Sequence, residues 1–423
     1  MTNLHHQVVI IGAGTAGITV AAQLRLKDTD LDIAIIDPSS KHYYQPAWTL
    51  VGAGTFNFEN TEREMKDFIP EGVHWIKEYV ADVFPDENKL TTREGQTITY
   101  DYLVACPGIQ MNLDDIEGLR EGLKQDNISS IYLDPKKTWE VLQNFKGGTA
   151  LFTQPATPIK CGGAPQKIMY LAEDYFKKSG VRDNTEIVFA TPGSVIFALE
   201  PFKSTLMNVV NRKDIHLRFF HKLTKIDWQN NQAHYTIMKF AEEPDKLYHN
   251  PKDLNEEYLS ATEVIVPFDM LHLAPPQSAP DFIRRSKLAY QEGPDEGWIN
   301  VNHHTMQHNE YANVFALGDA TALPTAKTGA AVRKQAPVLV KNLLSLINGE
   351  SDLKEAYEGY SSCPIVTGYG KMLLAEFKYG NVRDSDPLIT TFVDTGKEQY
   401  SMWILKKYGL PFMYWNLMLK GRA

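Results

Sequence analysis

Cysteine is scarce in this sequence, with three residues among 423. Three thiols cannot staple a secreted disulfide scaffold, so each must be judged by its neighbours. A basic excess is also missing. The net charge of −9 leaves nothing to neutralise a phosphate backbone, which excludes nucleic acid as the main partner. No run of 18 apolar residues occurs, so no transmembrane helix is expected. No signal- or transit-peptide pattern precedes Gln7-Val8-Val9-Ile10-Ile11. His303 and His304 adjoin but read as surface residues rather than ligands, and no metal site is expected.

What is present points to an α/β chain of two or three domains, since 423 residues exceed what one core usually carries. Val8 to Ile11 read as a buried strand, Gly12 to Gly17 as a glycine turn, and Ile18 to Leu26 as a helix. Ile33 to Ile36 form a second strand ending at Asp37. This order implies a parallel, doubly wound sheet. A second unit follows Gly147-Gly148: strand Thr149 to Thr153, helix Pro165 to Lys178, strand Glu186 to Ala190. Two Rossmann-like domains are therefore expected, one from residues 1–145 and 296–347, the other from 146–295. The helix from Thr328 to Leu346 returns the chain to the first, and residues 348–423 form a separate C-terminal part. The polar, acidic stretch Ala241 to Thr262, with Pro244 and Pro251, reads as a solvated loop or hairpin tip.

Gly12, Gly14 and Gly17 stand between strand and helix, and Asp37 follows at the spacing of about 20 residues that a dinucleotide fingerprint requires. Gly12 permits the tight turn, Gly14 the approach of a pyrophosphate, and Gly17 close helix packing. The helix N-terminus offers N–H groups to phosphate, and Asp37 can accept from ribose hydroxyls. A second such fingerprint is absent. The corresponding turn reads Thr153-Gln154-Pro155-Ala156-Thr157-Pro158, and Thr191-Pro192-Gly193-Ser194 is no better. A nicotinamide dinucleotide has no evident place for its pyrophosphate.

That region carries a cysteine instead. Cys161 precedes Pro165, a residue suited to a helix start, and adjoins Lys160. A thiolate there would be stabilised by the lysine and by the helix N-terminus. Cys363 lies in Tyr360-Ser361-Ser362-Cys363-Pro364, read as a loop. Either cysteine alone reads equally well as an ordinary thiol. Cys106, in Ala105-Cys106-Pro107-Gly108, takes the place of a small buried residue and reads as structural.

The strand Asn313 to Leu317, ending in Gly318-Asp319, resembles the second cofactor-binding strand of two-dinucleotide-domain flavoproteins. That resemblance implies FAD, with Asp319 at its ribityl or phosphate end. A more specific resemblance spans nearly the whole chain. Its carriers are Tyr43-Tyr44-Gln45-Pro46-Ala47-Trp48 with Thr49 to Gly54, Lys160-Cys161-Gly162-Gly163-Ala164-Pro165-Gln166-Lys167, Leu323 to Thr328, Ser362 to Tyr369, and Pro411 to Asn416. With these the chain resembles the sulfide:quinone oxidoreductases, in the branch that includes the mitochondrial enzymes. The resemblance implies that Cys161 and Cys363 are the redox pair. It also implies FAD contacts from Thr15, Ala16, Asp37, Gln45, Val80, Asp319, Lys327, Thr328, Gly329 and Ala330.

The activity so implied is oxidation of sulfide to a cysteine-bound persulfide, with electrons passing to a membrane quinone. The sulfur then leaves to an acceptor such as a thiol, sulfite or polysulfide. Lys327 is a candidate to stabilise negative charge on reduced flavin, and Phe377 to stack on the quinone ring. Trp403 to Tyr408 and Leu410 to Lys420 combine aromatic and apolar residues with cations, a composition suited to a membrane interface. Pro411 is expected to interrupt any helix between them. The expected location is peripheral, on the cytoplasm-facing side of a bacterial membrane, and a homo-oligomer stays open. Two other readings compete: an NADH:quinone oxidoreductase of the same fold, and a non-catalytic flavin-binding sulfur carrier.

Overall fold

The computed structural model describes residues 3–239 and 244–423. The first sheet is built on the strand Asn3–Ile11, which pairs in parallel with Ile33–Ile36 on one side and Thr97–Ala105 on the other. Strands flanked on both sides and both faces need apolar residues at every position. Val8, Val9, Ile10, Ile33, Ala34 and Ile35 are accordingly sealed from solvent. Val73–Ile76 extends the sheet at one end, and Val314–Ala316 pairs in parallel with Thr97–Ala105. The carboxyl ends of Asn3–Ile11 and Val314–Ala316 thus open on the same edge.

The second sheet runs Ile128–Ser129, Met270–Leu273, Gly148–Thr153, Thr185–Ala190, Ile215–Arg218, all parallel. Helix Ala164–Ser179 packs its buried face, Ile168 to Ala172, against it. Both units are Rossmann-like, and helix Gly329–Ile347 shares the first unit's core through Val332, Ala336, Leu339 and Leu343.

The acidic insertion is more ordered than a loop. Glu257–Ser260 pairs antiparallel with Glu263–Pro267 in a four-stranded sheet, and Tyr248–His249 joins the edge of Ile215–Arg218. The buried Arg218 ties it down, donating to Glu256 and to the Lys252 carbonyl. Ala241 to Glu243 lie outside the described residues.

Beyond the long helix, Ser361–Gly368, Lys371–Lys378 and Val382–Arg383 form a small antiparallel sheet. The tail corrects the expectation for Pro411. Tyr400–Ile404, Leu405–Gly409 and Leu410–Asn416 follow one another as a continuous helix, the middle segment widened to a π turn. Proline lacks a donor and crowds the carbonyl four residues back, and the widened turn accommodates both defects. One side of this helix is core, with Trp403, Tyr414, Trp415 and, just beyond, Leu419 buried. The other side shows Tyr400, Tyr408 and Phe412 at 67, 59 and 62% exposure, with Ile404 between them. Among the described residues no helix is long and apolar enough to cross a membrane.

Candidate active site

The site begins at the glycine turn. Gly12 has φ +95, and a side chain there would meet the Cys106 carbonyl at 2.5 Å. At Gly17 a Cβ would lie 1.8 Å from the Gly12 carbonyl, so the helix can pack this closely only on glycine. Gly14 faces open space, and no side chain caps the helix Thr15–Lys27 that starts there. The first N–H groups, including those of Thr15 and Ala16, therefore lack the usual cap partner. Asp37 is bound on its inner side by the N–H groups of Ala13 and Ser39, each at 2.8 Å, while burial pushes its carboxyl up. An open glycine, an uncapped helix start and a terminal aspartate fit a dinucleotide pyrophosphate and ribose.

Gly318 and Asp319 follow the parallel strand Val314–Ala316, and a cleft there is lined by Gly318, Asp319, Lys327 and Thr328. Burial raises the Asp319 carboxyl, with Lys327 and Lys160 pulling against it. Thr328 caps the long helix by accepting from the Ala331 N–H, and its hydroxyl meets Ser361 Oγ at 2.8 Å. Gly329 and Ala330 open that helix, and Gly329 has open space where a side chain would project. Lys327 is lowered to about 8 by burial, its Nζ donating to the Thr321 carbonyl and lying 3.9 Å from the Trp298 ring centre. Gln45 accepts from Lys160 Nζ, which places it beside the cysteine loop. Val80 is buried at the start of Val80–Phe84 in the first unit's core.

Cys161 and Cys363 converge on this cleft. The Cys161 N–H donates to the Lys327 carbonyl at 2.8 Å, and Ser361, two residues before Cys363, bonds to Thr328 and the Ala326 carbonyl. Both are free thiols, hydrogen-bonded to each other. Cys363 is in the strand Ser361–Gly368 rather than a loop, and Pro364 is tolerated because this is an edge strand. The bond from Cys363, with the positive charge of Lys167, holds Cys161 well below the usual thiol range. The same shared proton drives Cys363 well above it.

The cation at Cys161 is Lys167, not the adjacent Lys160. Lys167 Nζ donates to Cys161 Sγ at 3.0 Å, whereas Lys160 turns to Gln45. Sequence reasoning missed this, although a lysine directly before the apolar run Ile168 to Ala172 of a predicted helix was a visible signal. It also missed Tyr132, whose hydroxyl donates to the Cys161 carbonyl, and Lys406, buried nearby. Cys106 is buried against the Gly12 carbonyl, away from the pair, and burial raises its thiol. Phe377 is half-buried, edge-on to Phe197.

Comparison with known proteins places this geometry. Residues 6–140 match the family model described as pyridine nucleotide-disulphide oxidoreductase. The sulfide:quinone oxidoreductase, mitochondrial, of Mus musculus is 39% identical, over 99% of this chain and 87% of its own length. The protein of that name from Dictyostelium discoideum is 40% identical, over 98 and 86%. The chain belongs to the sulfide:quinone oxidoreductase family. It is accordingly a flavoprotein oxidoreductase with FAD as cofactor. The solved structure of the sulfide:quinone oxidoreductase from Aquifex aeolicus shares the fold, with a TM-score of 0.79 at 21% identity, covering 99% of this chain and 92% of that one. Both named relatives are mitochondrial, which lends no support to a bacterial placement.

Proposed function

We propose that Cys161 and Cys363 oxidise sulfide, with FAD as the electron acceptor beside them and a membrane quinone as the final one. The carrying observation is the convergence of two thiols, distant in sequence, on the Lys327–Thr328 loop with Lys167 against them. In the oxidised pair a disulfide joins the two sulfurs. Hydrosulfide attacks one of them, the old S–S bond breaks, and the products are a persulfide on one cysteine and a thiolate on the other. The sulfide sulfur loses two electrons and the disulfide gains them. Lys167 holds the departing thiolate, because its ammonium already lies within hydrogen-bond reach of Cys161. FAD, when bound, supplies a two-electron acceptor. Gly12, Gly14, Thr15, Ala16, Gly17, Asp37, Gln45, Val80, Gly318, Asp319 and Lys327 to Ala330 would hold it. The persulfide sulfur passes to a thiol, sulfite or polysulfide.

Quinone is a lipid-phase oxidant, and the exposed stripe Tyr400, Ile404, Tyr408 and Phe412, with Leu388 and Phe392 nearby in sequence, suits a peripheral membrane contact. Phe377 is the proposed stacking partner for the ring. Anaerobic stopped-flow mixing tests the whole reading. Sulfide should bleach the flavin within the mixing experiment, and NADH or NADPH should not. Rapid bleaching by a nicotinamide would favour the dehydrogenase reading, and no bleaching by either a carrier.

A further inference from the structure

Lys406 is a buried cation that the reaction above leaves without a task. It stands on the π turn of the C-terminal helix, 3% exposed, with Nζ donating to the Pro46 carbonyl at 2.7 Å. Ile404 and Tyr408, two residues to either side, belong to the exposed stripe, so Lys406 occupies the inward face. Among the described residues no carboxylate pairs with it or with the equally buried Lys167. A buried ammonium needs an anion. The groups that act on Lys406 are the two thiols and Lys167. Around them, Lys160 is held by Gln45, Tyr132 by the Cys161 carbonyl, and Glu376 by the Tyr360 hydroxyl and the Asp386 N–H. Two lysines and two sulfurs therefore cluster in one region shielded from solvent. A single thiolate satisfies Lys167, which leaves Lys406 without a counter-charge until a second sulfur anion forms.

We propose that Lys406 accepts the proton of the incoming hydrosulfide and then stands as an ammonium against the second sulfur anion. Hydrosulfide and the Cys161–Cys363 disulfide give a persulfide anion and a thiolate. One S–S bond forms, one breaks, and the proton moves to Lys406 Nζ. The sulfide sulfur is oxidised by two electrons and the disulfide reduced by the same two, so the step needs no other oxidant. Burial and repulsion from Lys167 lower the Lys406 ammonium to about 7, which leaves the amine free to take a proton at mildly alkaline pH.

This inference rests on the cysteine pair being the sulfide site. The test uses the oxidised, FAD-loaded full chain, mixed anaerobically with sodium sulfide between pH 6 and 9. Rates are corrected for the hydrosulfide fraction, and the reduced enzyme is titrated separately by thiolate absorbance. The corrected wild-type rate should rise through the neutral range. Lys406→Met should be slower by about 10²-fold and flat, and its second thiolate should form only at higher pH. Lys406→Arg should restore that thiolate, because its cation is permanent, yet stay slow, because it cannot take the proton. If Lys406→Met does not retain FAD, Lys406→Gln takes its place in the comparison. Wild-type rates in Lys406→Arg would overturn the proton transfer, and a wild-type titration and rate in Lys406→Met would overturn the role entirely. Failure of the underlying reading shows elsewhere, as undiminished sulfide bleaching in Cys161→Ser or Cys363→Ser.

Discussion

Two strand-to-helix turns occupy corresponding places in the two Rossmann-like sheets, and they present different chemical groups. The first passes from Ile11 to Thr15 through three residues, two of them glycine, and delivers an uncapped helix start to open space. The second takes ten residues from Thr153 to Ala164, and proline and threonine fill its first half. Its far end holds Cys161 at φ +51, beside Lys167. One turn offers backbone N–H groups to a phosphate, and the other offers a thiolate. On the function proposed above, the same architecture would bind with its first unit and react with its second, and a cysteine loop stands where a second glycine turn would otherwise offer N–H groups to a pyrophosphate.

Removing the thiols breaks the comparison most severely. Cys161→Ser or Cys363→Ser should slow flavin reduction by sulfide at least about 10³-fold while FAD stays bound. Stopped-flow absorbance of the flavin reads both, and the double variant should be no slower than the slower single one, because the two sulfurs act as a unit. Cys106→Ser should keep most of the rate. An inactive Cys106→Ser beside an active Cys363→Ser would reassign the pair.

The glycine turn can be sharpened by two alanines with different expected consequences. Gly17→Ala puts a methyl 1.8 Å from the Gly12 carbonyl, an overpacking that should cost about 1–3 kcal/mol or more of stability and lower the melting temperature of the FAD-free protein. Gly14→Ala meets nothing in the protein, so the melting temperature should hold. Its methyl would instead occupy the approach of the pyrophosphate, and FAD affinity measured by fluorescence should fall about tenfold. Equal FAD affinity in Gly14→Ala and wild type would move the phosphate site elsewhere.

The contrast between the turns was legible in the sequence because each rests on local signals. Glycines between a β-branched run and a helix, or proline where glycine is needed, act through backbone sterics that neighbouring residues reveal. What escaped depends on distant segments meeting. Cys363 read as a loop residue, and only the one-sided pairing of its strand explains how Pro364 fits beside it. Lys160 was credited with the charge that Lys167 supplies, since side-chain direction on a helix is not a matter of adjacency. Pro411 read as a break because a widened turn leaves no mark of its own in the residues. The tail's two faces mix in one sequence, and the fold alone separates Trp403 and Trp415, which are core, from Tyr408 and Phe412, which are not.

The charge difference between the thiols gives a smaller effect, readable by pH. The hydrogen bond from Cys363 and the ammonium of Lys167 lower Cys161, so its thiolate persists as the pH falls below the ordinary thiol range. Burial raises Cys106, so its thiolate is absent until the pH is far higher. In the reduced enzyme, iodoacetamide at pH 7 should label Cys161, while Cys106 stays unlabelled to pH 9, as peptide mass spectrometry would report. Lys167→Met should shift the Cys161 labelling midpoint upward. A midpoint unmoved by that change would mean that Cys363 alone sets the thiolate.

The smallest expected effect concerns the outward face of the C-terminal helix. Truncation before Trp403 is a poor probe of it, because Trp403, Trp415 and Leu419 are core. Tyr414, lost with them, meets Thr15 Oγ at 2.8 Å and His42 at 2.6 Å, directly on the cofactor turn. A truncated chain should therefore lose FAD and unfold, whatever the exposed face does. Ile404→Ser, Tyr408→Ser and Phe412→Ser spare all of those contacts, since their side chains point away from the core. Each removes apolar area that a membrane would cover, worth roughly 1–2 kcal/mol of partitioning when fully buried and less at a headgroup interface. Single substitutions should weaken liposome flotation and the rate with a long-chain quinone several-fold, and the triple variant more than any single one. Sulfide should bleach the flavin of all of them at the wild-type rate, since the cysteine pair lies on the helix's other side. Undiminished flotation of the triple variant would place the membrane contact on another surface, and slowed bleaching would mean that this face is part of the fold.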